Sequence, residues 1–552
     1  MSVARRWRLL ADEDDAEREL ASGPRNAAIE EARPVALPWV VAILAIAAAP
    51  RLWYLFFVSD PENAGDGMYG DVYHHWQIAY LTREIGLSHG PRLWDLKGME
   101  YFWGLLHPLL MSLIFTVSGS VDIVLDRLLS VTFGCLVVLL VFLLCRRHWG
   151  VPTALAAAAF AAFAPTSVFN DASGMLEPIG VGLCLLGIWL LPRRGFLAGI
   201  CWGLAAMTRA EAWVFTLGLV AAVLLAPQIR RQAIPVLVGW GALMLAYMKV
   251  LLDQTGNPIY PLYWNFLANA AGRWEVAAQL TPEQRVVQPV LGLLLLAAMA
   301  GLVWTLWKRP RGYLLLTFGF GYWVFVAGML GFSAYLKSWV GWMWMTRVFA
   351  FPYDFAAILV AIGLFASAPR WVPRPRLVAR WTVALTLLLA VQVSWGPIQA
   401  VYTSTTPTWA TTVAVARQIG HDYRQPGVEG GALTLPADHP NLTYALARYG
   451  GVEGRHLISE LYDPFYYLPS SASYAAAPKT VGTLLQCWLA RTGTRLLVVD
   501  QRDLNYAAFL ADHPGWFALT DRAEPYGWTL YRGLAPRPAL MECEEAARAA
   551  PR

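Results

Sequence analysis

The first 400 residues of the chain alternate between long apolar runs and short polar connections, and this alternation sets the fold class. A helix needs about 20 apolar residues to cross a bilayer, and it satisfies its own backbone polar groups there. Eleven runs meet or approach that length. They lie near 36–58, 127–145, 152–169, 175–191, 195–208, 211–226, 233–252, 288–307, 312–333, 346–367 and 379–400. The pattern therefore predicts an α-helical polytopic membrane protein with about eleven spans.

Clusters of basic residues separate the runs and predict the orientation of the chain, because such clusters stay on the cytoplasmic side of a membrane. If the N-terminus is inside, all of the main clusters fall on that side. They are Arg146/Arg147, Arg193/Arg194, Arg230/Arg231, Lys308/Arg309/Arg311 and Arg370/Arg374/Arg376/Arg380. Eleven crossings then place the C-terminus outside. We expect a multi-pass protein of the plasma (inner) membrane with its larger loops extracytoplasmic.

Two segments depart from simple crossings. The apolar segment His107 to Gly119 has only 13 residues, and a full crossing would put Arg146 and Arg147 outside, so it is predicted to be re-entrant. The runs 195–208 and 211–226 are also short, and we interpret them as a hairpin. Its apex carries Arg209 and Glu211, two ionisable residues at or near membrane depth.

The polar regions divide the chain into three predicted parts. Residues 1–35 form a cytoplasmic polar tail without an evident removable signal peptide, and residues 36–400 form the transmembrane domain, with a first outer loop at 59–105. Residues 401–552 form an extracytoplasmic α/β domain. Its predicted elements are strands at 432–435 and 495–500 and helices at 409–420 and 480–492.

Composition agrees with a membrane protein and excludes several classes. The chain is 57% hydrophobic and 15% charged, whereas ordinary globular chains have roughly 45–50% apolar and ~25% charged residues. A net charge of +5 over 552 residues does not indicate nucleic-acid binding. Four cysteines fall in apolar runs and are expected to be buried. Cys487 and Cys543 could pair, although the sequence alone does not decide this.

Polar residues concentrate directly after the first span. Asp66 and Asp71 are followed by His74 and His75, and the spacing i, i+3, i+4 puts the last three on one face if Asp71 opens a helix. That face suits a general base or a divalent cation. The alternative is an N-capping aspartate beside interfacial histidines.

Other charged residues lie at predicted outer ends of spans. Glu177 begins an apolar run, where a carboxylate is costly and usually functional, although helix capping is the competing explanation. His107 ends the first outer loop. Arg347 and Lys337 stand in a Trp-rich stretch and suit a lipid phosphate, unless they only extend to the membrane interface.

Seven short motifs occur in one order over residues 66–352. They are Asp71 to Ala79; His107-Pro108-Leu109; Asp126-Arg127-Leu128-Leu129-Ser130; Arg146 to Gly150; Leu176-Glu177-Pro178; Thr208-Arg209-Ala210-Glu211-Ala212; and Arg347 to Pro352. Together they resemble the motifs of the GT-C glycosyltransferases, in which the first one reads Asp-x-x-Tyr-Tyr-x-x-x-Ala. This class contains protein O-mannosyltransferases, lipid A aminoarabinose transferase and oligosaccharyltransferase catalytic subunits.

The resemblance implies transfer of a sugar from a polyprenyl-phosphate donor to a protein, lipid or glycan acceptor on the extracytoplasmic face, with inversion at the anomeric carbon. Asp71 takes the place of the catalytic aspartate of the class. Asp66 and Glu177 are further catalytic candidates. Many relatives have an acidic residue where Val72 stands here, and Asp66 could substitute for it.

Candidates for binding substrate follow from the same comparison. Arg347, Lys337 or Arg209 could hold the donor phosphate, and Tyr73 and His74 occupy the doubled tyrosine of the motif. A divalent cation (Mg, Mn or Zn) is possible, with Asp66, His75 and His107 as its candidate ligands.

Two rival functions remain compatible with the sequence. A transporter or flippase of a lipid-linked glycan would also have many spans, but we see none of the internal repeats that transporters often show. A catalytically inactive relative could serve only as a scaffold. The sequence names neither the sugar nor the acceptor, nor the number of phosphates on the carrier.

Overall fold

A computed structural model describes residues 37–63, 71–86, 103–227, 229–263, 409–436, 440–459, 474–524 and 526–549. These residues are mostly helical, and their C-terminal part contains a five-stranded sheet. The predicted combination of apolar helices and a C-terminal α/β domain is confirmed at this level. The last four predicted spans, from 288 to 400, lie outside the described residues.

The N-terminal part contains nine α-helices among the residues that the structure describes. They are α1 (Leu37–Trp53), α2 (Asp71–Ile85), α3 (Leu106–Ser118), α4 (Ile123–Phe163), α5 (Pro165–Ser173), α6 (Glu177–Leu190), α7 (Gly195–Ala206), α8 (Ala210–Leu225) and α9 (Ala233–Thr255). A π-helix, Tyr54–Val58, directly continues α1.

Three of the described helical segments are long and apolar enough to cross a membrane: Leu37–Val58, Ile123–Arg147 and Arg230–Thr255. A fourth crossing is available if the pair Ser167–Ser173 and Glu177–Leu190, bent by 114°, counts as one span. The remaining apolar helices are shorter than 18 residues. They include α7 and α8, which form the predicted short hairpin.

Helix α4 extends from Ile123 to Phe163, yet the chain reverses direction within it. Gly134 lies against the Arg51 side chain, and the Arg51 guanidinium also donates to the carbonyl of Ala162 at 3.1 Å. A straight helix would separate residues 134 and 162 by about 42 Å, at 1.5 Å per residue. The turn must therefore fall between them, where Arg146 and Arg147 stand and where the sequence predicts the end of a span.

Two of the basic clusters that separate the predicted spans lie side by side. Gln232, which follows Arg230 and Arg231, accepts from the backbone of Gly195 at 3.2 Å and donates to the carbonyl of Pro192 at 3.2 Å. These contacts put the Arg193/Arg194 connection beside the Arg230/Arg231 connection. The two clusters share one end of the bundle, as expected if both face the cytoplasm.

Helix α3 is the segment predicted to be re-entrant, and both of its ends lie near the start of α4. His107, in its first turn, contacts Asp126 of α4 at 2.7 Å. Beyond its last turn, the carbonyl of Val121 accepts from the Trp76 indole at 2.7 Å, and Trp76 belongs to α2. The first turn of α3 thus contacts α4, and the residues that follow α3 contact α2. The re-entrant insertion itself stays a prediction.

The C-terminal domain contains α10 (Trp409–Tyr423), β1 (Ala432–Leu435), α11 (Pro440–Ala445), a π-helix (Leu446–Gly450), β2 (Leu457–Ser459), α12 (Pro478–Thr492), β3 (Thr494–Asp500), α13 (Leu504–Asp512), β4 (Phe517–Ala523), β5 (Trp528–Gly533) and α14 (Leu540–Ala549). The predicted strands and helices of this domain are confirmed. The strand order is β2-β1-β3-β5-β4, in which β1 pairs with β2 and β3 in parallel and β5 runs antiparallel to β3 and β4.

A disulfide between Cys487 and Cys543 joins α12 to the last helix, α14. The four free cysteines are buried, as the sequence predicts. Disulfides persist in oxidising compartments and are rare in the cytoplasm. The extracytoplasmic location of this domain stays a prediction, and the redox state of the two cysteines can test it.

The disulfide gives a direct test of topology. In cells whose thiol–disulfide exchange has been stopped by acid, we expect a maleimide to label Cys487 and Cys543 only after treatment with a reductant. An oxidising compartment keeps both sulfurs paired. The measurement is a gel mobility shift with a polymer-linked maleimide, and a Cys487→Ser variant is the control that leaves Cys543 reactive. Labelling of both thiols without a reductant would place the domain in the cytoplasm.

Candidate functional site

Asp71 is the first residue of α2, so the condition under which Asp71, His74 and His75 share one helix face is met. Its side chain is half-buried and lies within electrostatic range of the Arg209 guanidinium. Arg209 precedes α8, at the apex of the hairpin that α7 forms with α8. The structure thus brings together two polar residues that are 138 positions apart in the chain.

Arg209 is held between two buried carboxylates. Its Nε donates to Glu211 Oε2 at 3.1 Å, and its Nη2 donates to Glu211 Oε1 at 3.1 Å. Its Nη1 lies 3.1 Å from Glu177 Oε1. No more than 8% of any of these three side chains is exposed. A bidentate contact of this kind fixes the plane of a guanidinium.

The charges in this group do not cancel. When Asp71, Glu177 and Glu211 are ionised, three carboxylates and one guanidinium leave a formal charge of −2. Breaking a buried ion pair is strongly unfavourable, since one charge then remains uncompensated. Arg209 is already committed to its carboxylates, and the surrounding charge repels an anion. Arg209, a predicted phosphate ligand, is therefore better suited to fixing the carboxylates than to binding the donor phosphate.

Arg127 sets the position of the turn that leads to Glu177. Its side chain is fully buried, and its Nε donates to the carbonyl of Ala172 at 2.7 Å. Its Nη1 donates to the carbonyls of Asp60 and Pro61 at 2.6 and 2.8 Å, and its Nη2 donates to the Ser59 hydroxyl at 2.7 Å. One guanidinium thus ties the end of the first span to the segment preceding α6.

The turn itself requires glycine at position 174. Gly174 has a φ of +89°, a region in which residues with a Cβ are strained. A Cβ there would lie 3.1 Å from Val72 Cγ1 and 3.2 Å from Arg127 Cγ. The turn therefore packs directly against the first turn of α2. This close approach places the start of α6, with Glu177, beside the helix that begins with Asp71.

The start of α3 completes the surroundings of the hairpin apex. The backbone N–H of Leu106 donates to the carbonyl of Met207 at 3.1 Å. Gly104 has a φ of +103°, and a Cβ at this position would lie only 2.1 Å from the same carbonyl oxygen. A residue larger than glycine would push the end of the first outer loop away from Arg209.

The predicted metal ligands come together only in part. The ring centroids of His75 and His107 are 5.7 Å apart, and the His107 Nε2 atom contacts Asp126 Oδ1 at 2.7 Å. Asp66, the third candidate, lies outside the described residues. Among the residues that the structure describes, no group of three His, Cys, Asp or Glu side chains could hold a metal ion. The described residues alone do not fit a divalent cation, and we derive no step through one.

The two candidates from the doubled-tyrosine motif have different surroundings. Tyr73 is fully buried, and its hydroxyl donates to the carbonyl of Glu62 at 2.8 Å. Its predicted contact with substrate stays a prediction. His74 is half-buried and stacks on Trp103, with ring centroids 5.9 Å apart. The predicted phosphate ligands Arg347 and Lys337 lie outside the described residues.

Sequence reasoning did not single out Arg127 or Glu62 as residues that shape the site. Arg127 stands inside an apolar run and within one of the motifs, and a charge in such a position is itself a signal of function or of essential packing. Glu62 gives no such signal, because it lies in a polar loop and its partners are distant in sequence. Glu211 stands at the predicted hairpin apex and in one of the motifs, but neither position assigns it a role.

No protein-family model and no curated protein sequence matches the chain. Several solved structures are similar to it. The oligosaccharyltransferase of Archaeoglobus fulgidus, tethered with an acceptor peptide containing the NVT sequon, is 12% identical with a TM-score of 0.48, over 90% of this chain and 74% of that one. The same enzyme in complex with Zn and sulfate is 15% identical with a TM-score of 0.44, over 89% and 73%.

ArnT from Cupriavidus metallidurans bound to undecaprenyl phosphate is 14% identical, with a TM-score of 0.44, over 92% of this chain and 100% of that one. These oligosaccharyltransferase and ArnT structures are of GT-C glycosyltransferases, the class that the sequence motifs resemble. Because all of these identities and scores are low, we infer function from this chain's own residues.

The packing around Gly174 predicts the cost of adding a single methyl group. Gly174→Ala should lower the free energy of unfolding by about 1–3 kcal/mol, because a positive φ is strained for alanine and the added Cβ crowds Val72 and Arg127. Thermal unfolding in detergent measures this. Gly241→Ala is the matched control, since no atom lies within 4 Å of its added Cβ. Equal stability of the two variants would contradict the described turn.

Proposed function

We propose that the protein is an inverting glycosyltransferase that moves a sugar from a polyprenyl-phosphate donor to a protein, lipid or glycan acceptor on the extracytoplasmic face. The observation that carries the proposal is the placement of Asp71. It begins a helix beside a buried Glu177–Arg209–Glu211 group, at the end of the bundle opposite the basic connections. The donor class is the one that the sequence resemblance implies.

Asp71 has the chemistry that an inverting transfer needs. The carboxylate removes the proton from an acceptor hydroxyl, or orients an amide nucleophile, as that nucleophile attacks the anomeric carbon. The bond between the anomeric carbon and the phosphate oxygen breaks on the opposite face, and the polyprenyl phosphate leaves with the bonding electrons. Because attack and departure occur on opposite faces, the anomeric configuration inverts.

The Glu177–Arg209–Glu211 group supports this step without touching the phosphate. Its two carboxylates and one guanidinium have a formal charge of −1, which repels an anionic phosphate from the acceptor side. Cations elsewhere must then stabilise the leaving phosphate. Arg347 and Lys337 are our candidates, since they fall at the outer end of a predicted span within a Trp-rich stretch.

The role of Asp71 is tested by its amide. Asp71→Asn should lower transfer by ~10²-fold or more, because the amide keeps the shape of the side chain but cannot accept the proton. The assay uses purified protein, radiolabelled polyprenyl-phosphate sugars and mass spectrometry of the products. Asp253→Asn is the control, because Asp253 is half-exposed and pairs only with Lys249 among the described contacts. Near wild-type turnover in Asp71→Asn, with loss in Asp66→Asn, would assign catalysis to Asp66.

The phosphate role of Arg347 is tested by donor binding. A guanidinium holds two phosphate oxygens at once, whereas lysine acts as a point charge. Arg347→Lys should weaken donor binding partly and Arg347→Ala severely, because each charge-assisted hydrogen bond contributes roughly 1.5–3 kcal/mol. Donor titration on the folded, purified variants measures this.

Two outcomes would contradict the assignment of the donor phosphate to Arg347. If Arg347 only anchors a helix end, both variants lose stability while the folded fraction binds donor with unchanged affinity. If Arg347→Ala binds donor normally and Arg209→Ala does not, the phosphate lies at the hairpin apex, and the assignment of Asp71 is unaffected.

A further inference from the structure

A junction near Asp71 joins the C-terminal domain to the membrane domain, and two carboxylates, Glu62 and Asp122, lie in it. The Tyr444 hydroxyl donates to Asp122 Oδ1 at 3.4 Å, and Arg448 Nη2 lies 3.6 Å from Asp122 Oδ2, but Glu62 contacts more side chains of the C-terminal domain. Glu62 Oε2 accepts hydrogen bonds from the Trp409 indole at 3.4 Å and from the Tyr449 hydroxyl. Glu62 Oε1 accepts from the Tyr444 hydroxyl at 3.3 Å and lies 3.9 Å from Arg448 Nε. Four side chains of the C-terminal domain thus converge on one residue of the membrane domain.

The donors of this junction stay protonated at neutral pH. Burial, together with the Glu62 carboxylate, raises the pKa of Tyr449 to about 12. Burial, together with Asp122 and Glu62, also raises the pKa of Tyr444. Both phenols therefore remain hydrogen-bond donors to the carboxylate. Hydrogen bonds to an ionised acceptor are about twice as strong as neutral ones.

Irregular helical turns form the junction on both sides. The π-helix Tyr54–Val58 ends four residues before Glu62, and the π-helix Leu446–Gly450 carries Arg448 and Tyr449. π-helical turns are rare, and they occur frequently at functional sites. One of them carries two of the side chains that contact the Glu62 carboxylate, and the other lies just before Glu62 in the chain.

The junction continues directly into α2, the helix that begins with Asp71. The hydroxyl of Tyr73 donates to the backbone carbonyl of Glu62 at 2.8 Å. The Tyr73 ring stacks on Trp409 with centroids 6.4 Å apart, and it packs against Tyr444 with centroids 5.8 Å apart. The same C-terminal side chains thus contact both Glu62 and the first turn of α2.

Further along α2, the same helix face stays in contact with the C-terminal domain. Trp76 packs edge-on against Tyr444, with ring centroids 4.9 Å apart. The Tyr80 ring lies where a Cβ on Gly454 would be, at 2.0 Å, so only glycine fits there. Residues 73, 76 and 80 follow the spacing i, i+3, i+7 of one helix face. The C-terminal domain therefore contacts α2 along most of its length.

We propose that Glu62 is a positioning residue for the transfer reaction: it fixes the C-terminal domain against α2 and so sets the position of the Asp71 carboxylate. The inference rests on the proposed function, in which Asp71 is the base. Misplacing a reacting group by 1 Å can cost about 10²-fold in rate. A change in the tilt or rotation of α2 shifts its first residue, and the C-terminal domain resists both.

The physical part of the proposal is tested without any activity assay. Glu62→Ala in the full-length protein should raise the hydrogen-exchange rates of the α2 amides at least tenfold, because the contacts that hold this helix are weakened. Glu544→Ala removes an exposed carboxylate whose partner, Arg548, lies in the same helix, α14, and it should leave these rates unchanged. Equal α2 exchange in Glu62→Ala and the wild type would overturn the proposal.

The kinetic part of the proposal distinguishes a positioning role of Glu62 from a general loss of folded structure. Glu62→Ala should lower kcat at least tenfold while binding of undecaprenyl phosphate stays within twofold of the wild type. Glu62→Gln keeps the shape of the side chain and one acceptor oxygen, so its kcat should lie between the kcat of Glu62→Ala and that of the wild type. If Glu62→Ala does not fold, Glu62→Gln provides the test. A kcat within twofold of the wild type in both variants would overturn the proposal, as would parallel loss of kcat and lipid binding.

The two proposals fail in different ways. If the wild-type protein transfers no sugar, the proposed function is refuted and the catalytic role of Glu62 falls with it. The exchange experiment still decides whether Glu62 holds α2 in place. If transfer occurs and depends on Asp71 but not on Glu62, the proposed function stands alone.

Discussion

The cost of burying charge among apolar helices is the constraint on which the described membrane domain depends. Each buried cation in it has specific acceptors. Arg51 pairs with Asp171 at 2.6 Å, Arg127 donates to three carbonyls and a hydroxyl, and Arg209 lies between Glu177 and Glu211. Removing one partner of such a pair is strongly destabilising, so each of these contacts fixes the relative position of the segments it joins.

These contacts converge on the region around Asp71. Arg127 ties the end of the first span to the turn before α6, Gly174 lets that turn pack on α2, and Arg209 ties α6 to the hairpin apex. Asp71 lies at the meeting point of segments that are distant in sequence. A rigid arrangement of this kind is what a base needs, since the reacting groups must stay within a few tenths of an ångström of productive geometry.

Local sequence patterns predicted much of the described fold. Apolar length predicted the helices, and short buried apolar runs predicted the strands at 432–435 and 495–500. Basic clusters placed the Arg193 and Arg230 connections on one side, where the structure brings them together. Each of these signals is contained within a window of about 20 residues.

Contacts between distant segments could not be predicted in this way. Glu62 meets Trp409 across 347 positions and Tyr444 across 382, and no local periodicity encodes such a pairing. The packing of the Tyr73 ring against Trp409 and Tyr444 is likewise not encoded by any local pattern. The commitment of Arg209 to two carboxylates likewise became evident only when α6 and the hairpin were placed side by side.

The central claim is that this chain catalyses sugar transfer rather than moving a lipid-linked glycan across the membrane. The most direct measurement is a single-turnover reaction of purified protein in proteoliposomes with a polyprenyl-phosphate sugar of known anomeric configuration and a panel of acceptors. The account predicts release of one polyprenyl phosphate per glycosylated product, with the opposite anomeric configuration in that product. An intact donor that appears in the other leaflet, with no product formed, would contradict the account and identify a flippase.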